Sequence, residues 1–188
     1  KELVVARGPT LLLIRDFELA DGGTSTFKIF GCTHGDDWSY EVAVADVLPD
    51  AMHAGPEILI ATGTERRDGA SRIQIIAPEQ VSTDYTAPGG CNALDEYTSA
   101  ELPNDLGQQI VSARFPDDTA TDGLDDLVYS APSINKVFVH FASGQTAEIN
   151  AGDQGSDFGD SLAIGDLDGD DIPELVVGAR KADRGATN

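Results

Sequence analysis

Cysteine is nearly missing from this chain: two residues in 188, beside a single tryptophan and a single methionine. Cys32 and Cys91 form neither a CxxC pair nor a zinc pattern, so a redox dithiol and a zinc ribbon are both excluded. They are either one disulfide made in an oxidising compartment or two buried thiols. Both adjoin glycine in turn-like sequence, and the Cys32–Cys91 disulfide is the expectation. Positive charge is also scarce, with 12 Lys and Arg against 33 Asp and Glu and a formal net charge of −21. Such a surface repels nucleic-acid phosphates and anionic lipid and favours cations. No apolar run approaches the roughly 18 residues that a membrane helix needs. No basic segment followed by an apolar one marks a signal peptide. Histidine is limited to His34, His53 and His140, which lack ligand spacing and read as ordinary surface or strand residues. Catalytic signatures are missing as well: no G-x-S-x-G elbow, no H-E-x-x-H and no phosphate loop.

What is present is a core assembled from short pieces. Hydrophobic residues make up 40% of the chain, enough for one sizeable domain, but 20 Gly and 9 Pro keep the apolar runs short. That texture belongs to many short strands joined by turns. The runs also repeat. FGDSLAI (158–164) overlays WSYEVAV (38–44), and LGQQIVS (106–112) fits the same frame. PELVVGA (173–179) overlays PEILIAT (56–62), DDLVYSAP (125–132) and the opening KELVVARGP (1–9). An acidic residue therefore heads each apolar run, at Glu2, Glu57, Asp126 and Glu174.

A third strand follows each copy, in TLLLIRDF (10–17), SRIQIIAP (71–78) and KVFVHFA (136–142). A fourth lies in FKIFGC (27–32), within 91–102, and in AEIN (147–150). Four-stranded units repeating in this way predict an all-β fold built of β-propeller blades of four antiparallel strands. A β-sandwich is the alternative, but it would not repeat one motif four times. The approximate repeats are 1–33 (partial), 34–102, 103–153 and 154–188 (partial), together one propeller segment over 1–188. About three blades result, whereas closed propellers have about four to eight. The expectation is a partial propeller that belongs to a longer one or pairs with another chain.

Asp166, Asp168, Asp170, Asp171 and Glu174 stand within nine positions, between the runs LAI and ELVV. Carboxylates this close repel one another unless protons or a cation intervene. Asp166, Asp168, Asp170 and Glu174 fall at loop positions 1, 3, 5 and 9, with Ile172 at position 7 able to offer its carbonyl. A hard cation that takes six to eight oxygens is served by this spacing, and Ca²⁺ suits it better than Mg²⁺. The loop is not an EF-hand, because position 12 is Val177 and strands, not helices, flank it. An unoccupied acidic turn is the bland alternative. Asp171 holds position 6.

The run FGDSLAIGDLDGDDIPELVVGAR (158–180) resembles an FG-GAP repeat, the unit of the integrin α-subunit β-propeller and of bacterial integrin-like secreted relatives. The first half of the name is Phe158-Gly159, and the second appears as Gly178-Ala179-Arg180 and as Ser130-Ala131-Pro132. The resemblance implies Ca²⁺ held by Asp166, Asp168, Asp170, the Ile172 carbonyl and Glu174. A weaker second site is expected at Asp118, Asp122, Leu124 and Asp126. Counting back from Glu57 reaches His53 and Ala51, so that hairpin is expected to hold by apolar contacts alone. Trp38, Leu106 and Phe158 occupy equivalent places and are expected to pack between neighbouring units. The metal's expected role is structural, because charge neutralisation couples binding to loop order.

The function that follows is a calcium-binding module, not an enzyme, extracellular or at the cell surface, that mediates adhesion or binds a protein or glycan ligand. No nucleic-acid partner and no membrane insertion is expected. Two alternatives stand beside it: the propeller part of a polysaccharide-acting enzyme, using pairs such as Asp36-Asp37 or Asp117-Asp118, and a purely structural assembly module.

Overall fold

The computed structural model describes residues 3–7, 10–18, 26–33, 38–49, 52, 54–63, 71–81, 89–90, 93–99, 108–116, 123–151 and 156–182. Fourteen strands and two 3-10 turns make up the regular structure of these residues. In chain order the strands are β1 (Leu3–Arg7), β2 (Thr10–Glu18), β3 (Thr26–Thr33), β4 (Trp38–Ala45), β5 (Glu57–Gly63), β6 (Ser71–Ile76) and β7 (Gly89–Gly90). They continue as β8 (Asp95–Ser99), β9 (Ile110–Ala113), β10 (Asp126–Ala131), β11 (Lys136–His140), β12 (Thr146–Asn150), β13 (Phe158–Gly165) and β14 (Glu174–Ala179). The 3-10 turns, Pro78–Gln80 and Pro132–Ile134, each open on proline at the end of an apolar run. Proline's fixed φ suits such a turn and cannot continue the ladder.

The strands form sheets in the orders β1-β2-β3-β7, β4-β5-β6-β8, β9-β10-β11-β12 and β13-β14. Pairing is antiparallel except at β7, which runs parallel to β3 with Cys32 opposite Gly89 and Thr33 opposite Gly90. The sequence carries no signal for β7. Two glycines offer no side-chain pattern, and only the free edge of β3 makes them a strand. Cys91 lies outside the described residues, so the expected Cys32–Cys91 bridge does too.

Both faces of the inner sheets are buried, which explains why β5 and β10 read as continuous apolar runs. Ile58 and Ile60 of β5 pack with Leu11, Leu13 and Ile76, toward the first sheet. Their neighbours Leu59 and Ala61 pack the opposite way, with Leu127, Tyr129, Ala131 and Phe138 of the third. Val128, Val137 and Val139 then face the β13–β14 pair and join Leu162 and Phe158. Each such aliphatic side chain contributes about 1.5–3 kcal/mol when fully buried. A two-sheet sandwich has no sheet covered on both sides, and this stack has two. The arrangement is all-β with antiparallel sheets, consistent with part of a β-propeller.

Phe158 packs between the third and fourth sheets as expected. Trp38 opens β4, and Leu106 lies outside the described residues. The glycine after Phe158 has a specific cause. Gly159 has φ +94°, and an added Cβ would lie 2.9 Å from Ser130 Cβ and 3.2 Å from Val137 Cγ2. Only glycine lets β13 come this close to the third sheet. Buried Asn135 secures the same junction: its Oδ1 accepts from Ser156 Oγ (3.0 Å) and from the Phe158 N–H (3.2 Å).

Candidate metal centre

One device recurs in three hairpins. The acid that heads the second strand stands opposite the last residue of the first, in the pairs Ala45–Glu57, Ala113–Asp126 and Gly165–Glu174. Its carboxylate accepts the N–H of the second residue beyond the first strand. The three bonds are Val47 N to Glu57 Oε2 (2.9 Å), Phe115 N to Asp126 Oδ2 (2.8 Å) and Leu167 N to Glu174 Oε2 (2.7 Å). A short acidic side chain there satisfies a main-chain donor that the end of the ladder leaves without a partner. Glu57 also accepts from Leu48 N at 3.4 Å, and Asp126 Oδ1 accepts from Ala142 N at 3.0 Å. This corrects the expectation that the β4–β5 hairpin holds by apolar contacts alone: fully buried Glu57 clasps it.

The loop between β13 and β14 adds carboxylates to this clasp. Asp166 Oδ1 accepts from Gly169 N (2.7 Å) and Asp170 N (3.2 Å), and Oδ2 accepts from Asp171 N (3.0 Å). The Gly169 bond, followed by that from Asp171, holds the Asp166 carboxyl below the usual carboxylate range, so it stays ionised. Asp168 Oδ1 accepts from Asp170 N at 3.2 Å, and Asp170 Oδ1 from Ile172 N at 2.9 Å. Gly169 (φ +85°) and Asp171 (φ +66°) make the left-handed bends that turn these N–H groups inward.

Asp166, Asp168 and Glu174 each bring a carboxylate oxygen to within 4.8 Å of the other two. Two oxygens on opposite sides of one Ca²⁺ stand about 4.6–5.2 Å apart, given bonds of about 2.3–2.6 Å. The donor set therefore fits a hard cation. Asp170 is not part of this group, and one of its oxygens is engaged with the Ile172 N–H. Three hydrogen bonds already use three of the four acceptor positions on Asp166, leaving one on Oδ2.

At the expected second site, Asp118 and Asp122 lie outside the described residues. Leu124 is buried, and both oxygens of Asp126 accept main-chain N–H groups. The position equivalent to Asp166 is Arg114, whose Nε donates to Asp125 Oδ1 at 3.2 Å. In the β4–β5 hairpin that position is Asp46. Its N–H donates to Asp125 Oδ2 at 3.2 Å, and Asp125 N donates to the Asp46 carbonyl at 2.6 Å. Sequence reasoning missed both residues because it counted backward from the acid instead of forward from the end of the first strand. Of the acidic pairs weighed as acid and base, Asp36-Asp37 and Asp117-Asp118 both lie outside the described residues.

Compared with known protein families, residues 158–188 match the FG-GAP repeat. No curated protein and no solved structure matches the chain. Among the described residues, no helix is long and apolar enough to cross a membrane.

Proposed function

We propose, from the FG-GAP repeat at residues 158–188, that this chain is a calcium-binding β-propeller module that binds a protein or glycan ligand outside the cell. The observation that carries the calcium reading is the convergence of Asp166, Asp168 and Glu174 on the loop of that repeat. In this reading those three residues hold the ion, with the Ile172 carbonyl and Asp170 available to complete its oxygen shell. The ion's contribution is charge neutralisation: it makes a turn with this density of carboxylate favourable, and so orders the end of the β13–β14 hairpin.

The propeller reading treats the sheets as blades with approximate bounds 1–33, 34–102, 103–153 and 154–188. Its support is the stacking order: the first strands β4, β9 and β13 pack one on the next along one side, and the second strands β1 and β10 pack on the following first strands, β4 and β13. Among the described residues β1 and β14 are edge strands, which favours a ring completed by another chain or by further repeats. An apolar cleft of about 440 Å³ beside Val4, Val42 and Val44 points the same way. The proposal is of a binding module and not of an enzyme. An exposed loop of this kind suits an extracellular setting, where Ca²⁺ modules work with dissociation constants of about 10⁻⁴–10⁻³ M.

Ca²⁺ titrated into chelator-treated protein is expected to raise its melting temperature. At 100 times the dissociation constant the gain is about 2.7 kcal/mol, or about 5–10 °C for a chain of this size. Asp168→Ala removes an exposed side chain, so it weakens the response and leaves the melting of chelated protein in place. A wild-type chain whose melting ignores Ca²⁺ would sink the calcium reading.

A further inference from the structure

We infer that the edge of β1 and the apolar cleft beside it seat one more β-strand, antiparallel to β1: the first strand of a further FG-GAP repeat. The inference rests on the propeller reading and names the chemistry of what completes the first sheet. The second, third and fourth sheets each begin on a first strand, β4, β9 or β13, paired antiparallel with a second strand, β5, β10 or β14. β1 corresponds to these second strands, since Glu2 stands in the sequence where Glu57, Asp126 and Glu174 stand. Glu2 itself lies outside the described residues. Among the described residues β1 pairs with β2 alone, so the first sheet has no counterpart of β4, β9 and β13.

Burial shows what that strand would cover. Counted back from Ala45, Ala113 and Gly165, the residues opposite the clasping acids, Val42 is equivalent to Ile110 and Leu162. Ile110 is 6% exposed and shares a cluster with Ala43 and Ala45 of the preceding first strand. Leu162 is 9% exposed and shares one with Val111 of β9. Val42 has no preceding first strand and is only half-buried, and Val44 on the same face is 52% exposed. The cleft of about 440 Å³ opens at this place, lined by Val4, Leu13, Val42, Val44 and Ile58 among others. Strand alternation turns Ala43 and Ala45, Val111 and Ala113, and Ala163 and Gly165 toward the following sheet. The strand seated over Val42 and Val44 therefore carries Ala, Val or Gly at its last position and two before it. A second copy of this chain has no such strand to give, because its β4, β9 and β13 are already paired. Main-chain pairing along β1 supplies affinity, and the cleft selects the alternate small side chains.

The test uses the full chain in chelator, so its outcome is independent of the calcium titration. The probe is a capped peptide with the sequence of residues 106–115, LGQQIVSARF, which contains β9. Saturable binding is expected, with slower amide exchange within Leu3–Arg7. In the peptide, Val111→Asn should abolish binding and Ile110→Asn should leave it, because only the first faces the cleft. In the chain, Val44→Asn changes an exposed side chain and should weaken binding about three- to tenfold. Salt at about 0.5 M should leave binding in place, since apolar and main-chain contacts are not screened. Slow exchange at Leu59 and Ile60 in the same sample shows that the stack of sheets is formed. With those amides slow, the inference alone is overturned by no binding, by equal loss in the two peptide variants, or by unchanged binding in Val44→Asn. It is also overturned if the chain dimerises in sedimentation and the peptide does not compete, which would make the occupant a second copy. Fast exchange at Leu59 and Ile60 would overturn the stack, and with it both the propeller reading and this inference.

Discussion

The β4–β5 and β13–β14 hairpins share a plan and differ in how they handle charge. Each first strand carries a bulge near its start, at Ser39/Glu41 and at Phe158/Ser161. Each closes on an acid that clasps the N–H two residues past the strand, Glu57 on Val47 and Glu174 on Leu167. In the first hairpin the clasp is fully buried and the loop folds over it, with Val47 and Leu48 in the core. In the second the loop stands in solvent, Leu167 is 70% exposed, and Asp166 and Asp168 join the clasping acid. The acid that heads the strand is therefore a device of the fold, present with or without further carboxylates. On the calcium reading, what marks the metal loop is Asp at the third position as well as the first: β4–β5 has Asp46 at the first but buried Leu48 at the third, where β13–β14 has Asp168. The β9–β10 hairpin makes the same point from the other side, since it puts the cation of Arg114 where β13–β14 puts Asp166.

The largest effect expected from breaking this comparison is at Glu57. Replacing it with alanine leaves the Val47 and Leu48 N–H groups buried without their acceptor and opens a cavity, at a cost of about 2–4 kcal/mol. Glu57→Gln keeps an acceptor oxygen and should cost on the order of 1 kcal/mol. Glu174→Ala, measured in chelator, should cost less than Glu57→Ala, because water replaces the lost bond at an exposed loop. Urea midpoints of the three variants decide it. If Glu174→Ala in chelator proves as damaging as Glu57→Ala, the two clasps are not the same device in different surroundings.

Gly159 comes next. Its φ of +94° and the 2.9 Å approach to Ser130 Cβ leave no room for a methyl group. Gly159→Ala should destabilise by about 2–4 kcal/mol, combining left-handed strain with overpacking. The loss should fall on the β13–β14 hairpin, seen as faster amide exchange at Leu162 and Ala163 than at Leu59 and Ile60. Uniform acceleration across both hairpins would mean that the fourth sheet does not open apart from the second.

Most strands were legible because sheets buried on both faces leave unbroken apolar runs, as in Ile58–Ala61 and Leu127–Tyr129. The repeat of Phe158 and Trp38 at the start of β13 and β4 was legible from the recurring aromatic itself. β7 was not, since two glycines acquire strand character only from the edge of β3. At the site, oxygen spacing picked out Asp166, Asp168 and Glu174. It could not show that Asp170 spends an oxygen on Ile172 N–H, because that depends on the φ of Gly169 and Asp171. Nor could it separate clasp from ligand. That difference lies in burial, and the intervening segments 46–56, 114–125 and 166–173 differ in length and so hide the shared register.

The smallest effect sharpens the ligand set. Asp171 has φ +66°, a conformation that costs an L-residue free energy, though Asp tolerates it better than most. Its N–H bond to Asp166 Oδ2 is a main-chain bond that glycine would keep. Glycine relieves the backbone strain and removes one exposed carboxylate from a crowded loop, while the unfolded chain gains entropy that offsets part of the benefit. Asp171→Gly should therefore stabilise chelated protein by no more than about 0.5 kcal/mol, or about 1–2 °C. Its Ca²⁺ response should match wild type, because Asp171 does not belong to the group formed by Asp166, Asp168 and Glu174. If the response instead weakens as it does in Asp168→Ala, Asp171 is a ligand and the ion sits nearer the outer turn of the loop than the three gathered carboxylates place it.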